Sequence, residues 1–250
     1  MARRGLRMSP AGTVRRTWPA LARRAGIAAS VLALLALGTG EALPVGTYPA
    51  AVGRVEREDG GSCTGTLIAP QRVLTAAHCV YTQAGRVPTG DLRFAAGRVY
   101  GQAAVVVGIA QVRVSSSYRY EPRPDQIGDL AADVAVLELK RPLAVEPLRL
   151  ERHDGRGSFD SIGYARPFTE EPRKQHACSR ASKDWPAGVW GTTCFAFAGA
   201  SGAPLLRADA TRAVIGMIVA RHKRTSVALS ADRIAALLGL AVGSSADASD

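Results

Sequence analysis

Short apolar runs separated by turn-forming clusters fill the sequence from residue 51 to residue 229, and they restrict the chain to a β fold. The runs are Ala51–Glu56, Cys63–Ala69, Arg72–Thr75, Leu92–Tyr100, Ala103–Val114, Val134–Leu139, Phe195–Ala198, Leu205–Leu206, Ala213–Ala220 and Ser226–Leu229. Clusters such as Asp59-Gly60-Gly61, Pro88-Thr89-Gly90-Asp91 and Glu121-Pro122-Arg123-Pro124-Asp125 punctuate them. In the run ending at Leu139, Val134, Val136 and Glu138 alternate with Ala135, Leu137 and Leu139, the two-residue period of a strand. Many short strands with such turns predict an all-β sandwich or barrel, and periodicity does not choose between the two. Ser230–Leu240 departs from this pattern. An N-capping Ser230 followed by Ile234, Leu237 and Leu238 at helical spacing predicts a C-terminal helix, and Gly243–Asp250 is a small, polar tail.

The first 42 residues read differently from the rest. Seven arginines stand there against one acid, Glu41, ahead of the apolar stretch Ala25–Leu37. That stretch is shorter than the ~20 residues of a membrane span and fits the apolar core of a signal peptide. Gly40-Glu41-Ala42 supplies small residues for cleavage after Ala42, leaving 43–250 as the mature domain. Removing those seven arginines from the 32 basic side chains, and Glu41 from the 21 acidic ones, lowers the net charge from +11 to +5. No basic stripe interleaved with aromatics remains, so nucleic acid is excluded as the expected partner. With the leader removed, no stable membrane association is expected either.

Four cysteines fall in two pairs of equal spacing, Cys63 with Cys79 and Cys178 with Cys194. An exported chain meets an oxidising compartment, where such pairs persist as disulfides. Cys63 opens one strand, Ala69-Pro70-Gln71 turns the chain, and Cys79 lies on the return, so a bridge would tie the strand pair together. Zinc is the alternative for four cysteines, but no C-x-x-C spacing supports it.

Two stretches carry the chemistry. Thr75-Ala76-Ala77-His78-Cys79 puts a histidine at the end of an apolar strand, and Gly199-Ala200-Ser201-Gly202-Ala203-Pro204 brackets a serine with glycines. A serine hydroxyl is a weak nucleophile until a base within hydrogen-bond reach takes its proton. A third group must hold that base in the right tautomer. Asp133, at the head of the alternating run, is the best placed carboxylate, ahead of Asp125 and Asp129 in a looser segment. The chain order is therefore His78, Asp133, Ser201.

With Ser62-Cys63-Thr64-Gly65-Thr66-Leu67-Ile68 added to those stretches, the chain from Val52 to about Leu238 resembles a bacterial trypsin-like serine protease of the chymotrypsin fold. The likeness is to the glutamyl-endopeptidase-like branch more than to zymogen-type animal trypsins. The resemblance implies a double six-stranded antiparallel β-barrel with a C-terminal helix. Barrel one is placed near 48–142, barrel two near 152–229 and the helix near 230–240. It implies an endopeptidase acting on polypeptides through an acyl-enzyme, as a monomer and without metal or organic cofactor. His78 would be the general base, Asp133 its orienting carboxylate and Ser201 the nucleophile. The backbone N–H groups of Gly199 and Ser201 would form the oxyanion hole.

Two departures matter. The family places an acid just before the serine, where zymogen-type members pair it with a freed N-terminus, and this chain has Ala200. Signal cleavage alone is then expected to yield the active form. Counting six residues back from Ser201 reaches Phe195, where trypsin-like specificity would want an aspartate. With Met217, Ile218 and Val219 as the opposite wall, the expected pocket is apolar and suits an apolar or small residue. Arg221 or His222 would favour an acidic one instead. Two other classes stay in view: an inactive protease-like binding module, and an α/β-hydrolase esterase using Asp209 and His222. The short span from Ser201 to His222 argues against the esterase.

Overall fold

The computed structural model describes residues 49–122, 130–181, 185–208, 212–222 and 225–244. The expected leader and its cleavage site lie outside those residues, as do Asp125, Asp129 and Asp209.

The first barrel uses the strands with the clearest alternation. It comprises β1 (Val52–Arg57), β2 (Ser62–Ala69), β3 (Arg72–Thr75), β6 (Leu92–Ala96), β7 (Val105–Val114) and β8 (Ala135–Leu139). They close antiparallel in the order β1-β2-β3-β8-β7-β6. Closure leaves no edge strand exposed to pair with another chain. Val55, Leu67, Leu74, Phe94, Ile109 and Leu137 are fully buried, and each such side chain contributes about 1.5–3 kcal/mol. A small hairpin of β4 (Tyr81–Thr82) and β5 (Gly85–Arg86) follows the histidine.

The connection between barrels carries β9 (Arg149–Leu150), which pairs in parallel with β14 (Ala213–His222). The second sheet runs in the order β11-β10-β13-β14-β15-β12. Its members are β10 (Phe159–Ala165), β11 (Phe168–Cys178), β12 (Val189–Thr192), β13 (Pro204–Arg207), β14 and β15 (Thr225–Ser230). The two ends of that path meet just beyond β11, where Arg180 bridges to Thr192. Ala181 N–H donates to Gly191 O at 2.8 Å and Thr193 N–H to Ser179 O at 2.9 Å. The Cys178–Cys194 disulfide staples the same seam, and Cys63–Cys79 ties β2 to the turn after β3. The expected pairing of all four cysteines is what the structure contains. The fold is chymotrypsin-like.

Several expected elements differ. Phe195–Ala198 is a loop: Phe195 and Phe197 are exposed, and the N–H groups of Phe195 and Ala196 bond the side chains of Gln175 and Ser226 in place of a neighbouring strand's backbone. The run from Leu92 ends at Ala96 instead of Tyr100, where Gly97 turns the chain at φ +55°. Strands β10, β11 and β12 were not expected from the pattern. β11 is half-exposed along most of its length, with the sequence FTEEPRKQHAC, so it lacks the apolar alternation that marks a strand.

The C-terminal helix α1 (Ala231–Leu238) begins as expected, with Ser230 Oγ accepting Arg233 N–H at 3.2 Å. Gly239 ends it in the left-handed conformation. Arg233 Nε donates to Ala131 O at 3.0 Å, and Arg113 Nη2 to Leu238 O at 3.3 Å. The helix thereby braces the segment that leads into Asp133.

Candidate active site

His78 lies on a single 3₁₀ turn, Ala77–Val80, at the end of β3, with the Cys79 bridge immediately after it. Two bonds fix its relation to Asp133. The His78 backbone N–H donates to Asp133 Oδ1 at 2.9 Å, and Nδ1 lies 2.7 Å from Oδ2. Asp133 is 1% exposed and sits just before β8, its own N–H bonded to Leu130 O at 3.2 Å. A carboxylate only accepts, so Nδ1 carries the proton and Nε2 keeps its lone pair. Burial works against charge on the imidazole, but the Asp133 carboxylate and its hydrogen bond outweigh that and the opposing Arg57. The His78 pKa consequently lies above the ordinary histidine value.

Ser201 stands on the tight loop between β12 and β13, which crosses back toward barrel one. Its hydroxyl donates to Val219 O at 3.3 Å. Gly199 has φ +101° and Gly202 φ +89°, values that favour glycine. A Cβ on Gly199 would also lie 2.6 Å from Tyr164 O. Peptide groups are planar, with N–H and C=O pointing opposite ways, so fixing a carbonyl aims the following N–H. Ala198 O accepts Arg166 N–H at 2.9 Å, which aims the Gly199 N–H. Ala200 O accepts Ala203 N–H at 2.9 Å, which aims the Ser201 N–H.

His78, Asp133 and Ser201 all border one cleft of about 530 Å³. Val219, Ala220 and Arg221 form the barrel-two side of it. Tyr81, Tyr118 and Tyr120 border it from barrel one, Tyr81 stacking on Tyr120 at 5.2 Å and tilted to Tyr118 at 5.7 Å. Burial and then the nearby Asp133 charge push the Tyr118 phenol well above its ordinary pKa. This aromatic wall was not anticipated, although Tyr118-Arg119-Tyr120 in a loop was a usable signal. Cys63, His78 and Cys79 offer atoms within 4.8 Å of one another, but both sulfurs are spent in a disulfide and neither is a thiolate.

The four residues expected to line a specificity pocket do not share one. Val219 borders the main cleft. Phe195 and Ile218 border a separate cavity of about 320 Å³ behind the serine loop, together with Ala200 and Ala203. Met217 is fully buried in the core, opposite Pro204 and Leu229. Successive strand residues point to opposite faces, so three consecutive positions of β14 cannot all face one pocket. Phe195 is held by Gln175, which accepts its N–H at 2.6 Å and donates to its carbonyl at 2.8 Å. Its ring lies 4.4 Å from Phe197, with the Arg221 guanidinium 4.8 Å above it. His222 meets Trp185 edge-on at 6.5 Å. Ala200 packs into the apolar cluster with Ala203 and Ile218, where a carboxylate would stand among hydrocarbon.

Solved structures with the same architecture include a Glu endopeptidase with a TM-score of 0.65 and 20% identity. The match covers 78% of this chain and 91% of that one. A thermostable serine protease from an extremophilic microorganism matches at TM-score 0.56 and 20% identity, covering 73% and 92%. A scabies mite inactivated protease paralogue matches at TM-score 0.59 and 18% identity, covering 75% and 92%. The sequence pattern of the family described as Trypsin matches residues 40–229. Because that match takes in the histidine turn, the aspartate and the serine loop alike, the chain belongs to the trypsin family of serine proteases.

Proposed function

We propose that this protein is an exported serine endopeptidase that cleaves peptide bonds through an acyl-enzyme, with His78, Asp133 and Ser201 as its triad. The observation that carries the proposal is the pair of hydrogen bonds from His78 to the buried Asp133, which leaves Nε2 basic beside the cleft that Ser201 borders. In the reaction the Ser201 hydroxyl leaves Val219 O, gives its proton to Nε2 and attacks the scissile carbonyl. The resulting oxyanion is met by the N–H groups of Gly199 and Ser201. Each such donor is worth roughly 2.7–4 kcal/mol in the transition state. His78 then returns the proton to the leaving amine, and water repeats the sequence to free the acid. Disulfides on both barrels accord with an oxidising destination, periplasmic or extracellular. The half-buried Ala220 gives the cleft a small apolar lining residue and favours an apolar or small substrate residue there.

A second reading has one observation in its favour. Ser201 Oγ is engaged with Val219 O, as it would be in an inactive homologue serving as a binding module. Fluorophosphonate labelling of the secreted protein separates the two, because the probe reacts with an activated serine whatever the pocket. Labelling that disappears in both Ser201→Ala and His78→Ala is the expected result. Folded, disulfide-intact wild type that takes no label would favour the binding module and reject the peptidase.

A further inference from the structure

We infer that Thr64 is a positioning residue for the oxyanion hole, holding from barrel one the loop that Ala200 leaves without an ion-pair anchor. The inference rests on the proposed peptidase reading. Thr64 lies on β2, beside Cys63, and is fully buried. Its hydroxyl donates to Gly199 O at 2.9 Å and accepts Tyr164 N–H at 2.9 Å. Its backbone N–H donates to Ser201 O at 2.9 Å. Its carbonyl accepts the Thr75 hydroxyl at 2.8 Å, on the strand that leads to His78. One residue therefore joins the histidine strand, the serine loop and β10.

The geometry gives these bonds a specific consequence. Holding Gly199 O fixes the 199–200 peptide plane, and holding Ser201 O fixes the 201–202 plane. Those two planes bracket the 200–201 plane, whose N–H is the Ser201 oxyanion donor. The opposite faces are satisfied within barrel two, with Ala200 N–H on Phe197 O at 2.9 Å and Gly202 N–H on Ile218 O at 2.7 Å. The loop is thus pinned from both sides. Tyr164 N–H is available because the β10–β11 pairing shifts register between Gly163 and Ala165. A hydroxyl can donate and accept at once, which valine of the same shape cannot do. Branching at Cβ also restricts the χ1 rotamers open to Thr64, which helps hold its oxygen toward Gly199. In relatives with an acid before the serine, a charge could hold this loop. Here Ala200 has none, and the neutral hydroxyl does the holding.

The test compares wild type with Thr64→Val, Thr64→Ala and Thr64→Ser, each produced as the full exported chain and checked for fold by near-UV circular dichroism. Steady-state kinetics on a peptide ester are read as kcat and KM separately. Thr64→Val and Thr64→Ala should lose roughly 10–100-fold in kcat while KM stays within about threefold, because the oxyanion donors act in the transition state. Thr64→Ser, which restores the hydroxyl, should recover most of that loss. A folded Thr64→Val with wild-type kcat would overturn the inference and leave the peptidase reading standing. So would a Thr64→Ser variant as slow as Thr64→Val, or a loss confined to KM. If neither Thr64→Val nor Thr64→Ala folds, Thr64 is a folding determinant only and the inference is lost. Wild type that takes no fluorophosphonate label removes both readings together.

Discussion

Asp133→Asn should abolish the proposed peptidase activity by changing where one proton sits. In the native site Asp133 Oδ1 faces the His78 backbone N–H and Oδ2 faces Nδ1, at 2.9 and 2.7 Å. Asparagine offers one oxygen and one NH2, and the backbone donor decides between them. With its NH2 toward the His78 N–H, two donors would stand face to face at 2.9 Å, in a site closed to water. The oxygen therefore keeps the backbone bond and the NH2 turns to Nδ1. The ring must then accept at Nδ1 and carry its proton on Nε2, the atom that should receive the Ser201 proton. A wrong tautomer of this kind lowers kcat about 10⁴-fold, or about 5.5 kcal/mol at ~1.36 kcal/mol per tenfold. Burial and shape are nearly unchanged, so the variant should fold. The assay is kcat/KM on a peptide ester at neutral pH beside an unfolding curve. A folded Asp133→Asn enzyme within about tenfold of wild type would refute the tautomer argument.

Two further expectations follow from the same site. In its proposed role as base, His78 must be neutral, and its raised pKa places the acid limb of kcat/KM above the ordinary value of ~6.5; a limb at or below that value contradicts the pairing with Asp133. The sign for stability is the reverse. A pKa raised by folding stabilises fully below the unfolded value and fades as pH rises through the folded one, so the stability cost of His78→Gln should shrink from mildly acidic to alkaline pH in urea titrations. Gly202→Ala would put a Cβ 1.9 Å from Thr64 O at φ +89°, and should cost about 3–5 kcal/mol by urea unfolding. Gly157→Ala, at φ +73° with open space around it, should cost only ~1–2 kcal/mol; equal losses would mean the serine loop is not tightly held.

Legibility tracked the range of the interactions. Ser230 capped its helix where expected because capping is a bond between near neighbours, Ser230 and Arg233. β3 and β8 showed in the pattern because their burial on the barrel wall demands apolar residues at fixed intervals. β11 did not, since its outward polar side chains satisfy themselves in water and leave little periodicity. Phe195 misled for the opposite reason. An apolar run beside Cys194 reads as a strand, yet it is a loop with both phenylalanine rings exposed.

The candidate site divides along the same line. His78, Asp133 and Ser201 could be proposed from the sequence because the reactions open to them need particular residue types in recognisable local settings. Which Asp133 oxygen faces which donor, and which peptide planes Thr64 holds, depend on contacts 55 and 135 residues apart along the chain. The specificity wall is the clearest contrast. Met217, Ile218 and Val219 are neighbours in sequence, but strand alternation sends Met217 and Val219 into one buried cluster and Ile218 into the other, and only Val219 borders the main cleft. Residue types and short-range order determined the fold class, the disulfides and the residues proposed as reacting groups. Their aim, their company and the shape of the cleft came only from closing two barrels against each other, because directional bonds and packed surfaces exist only once distant segments meet.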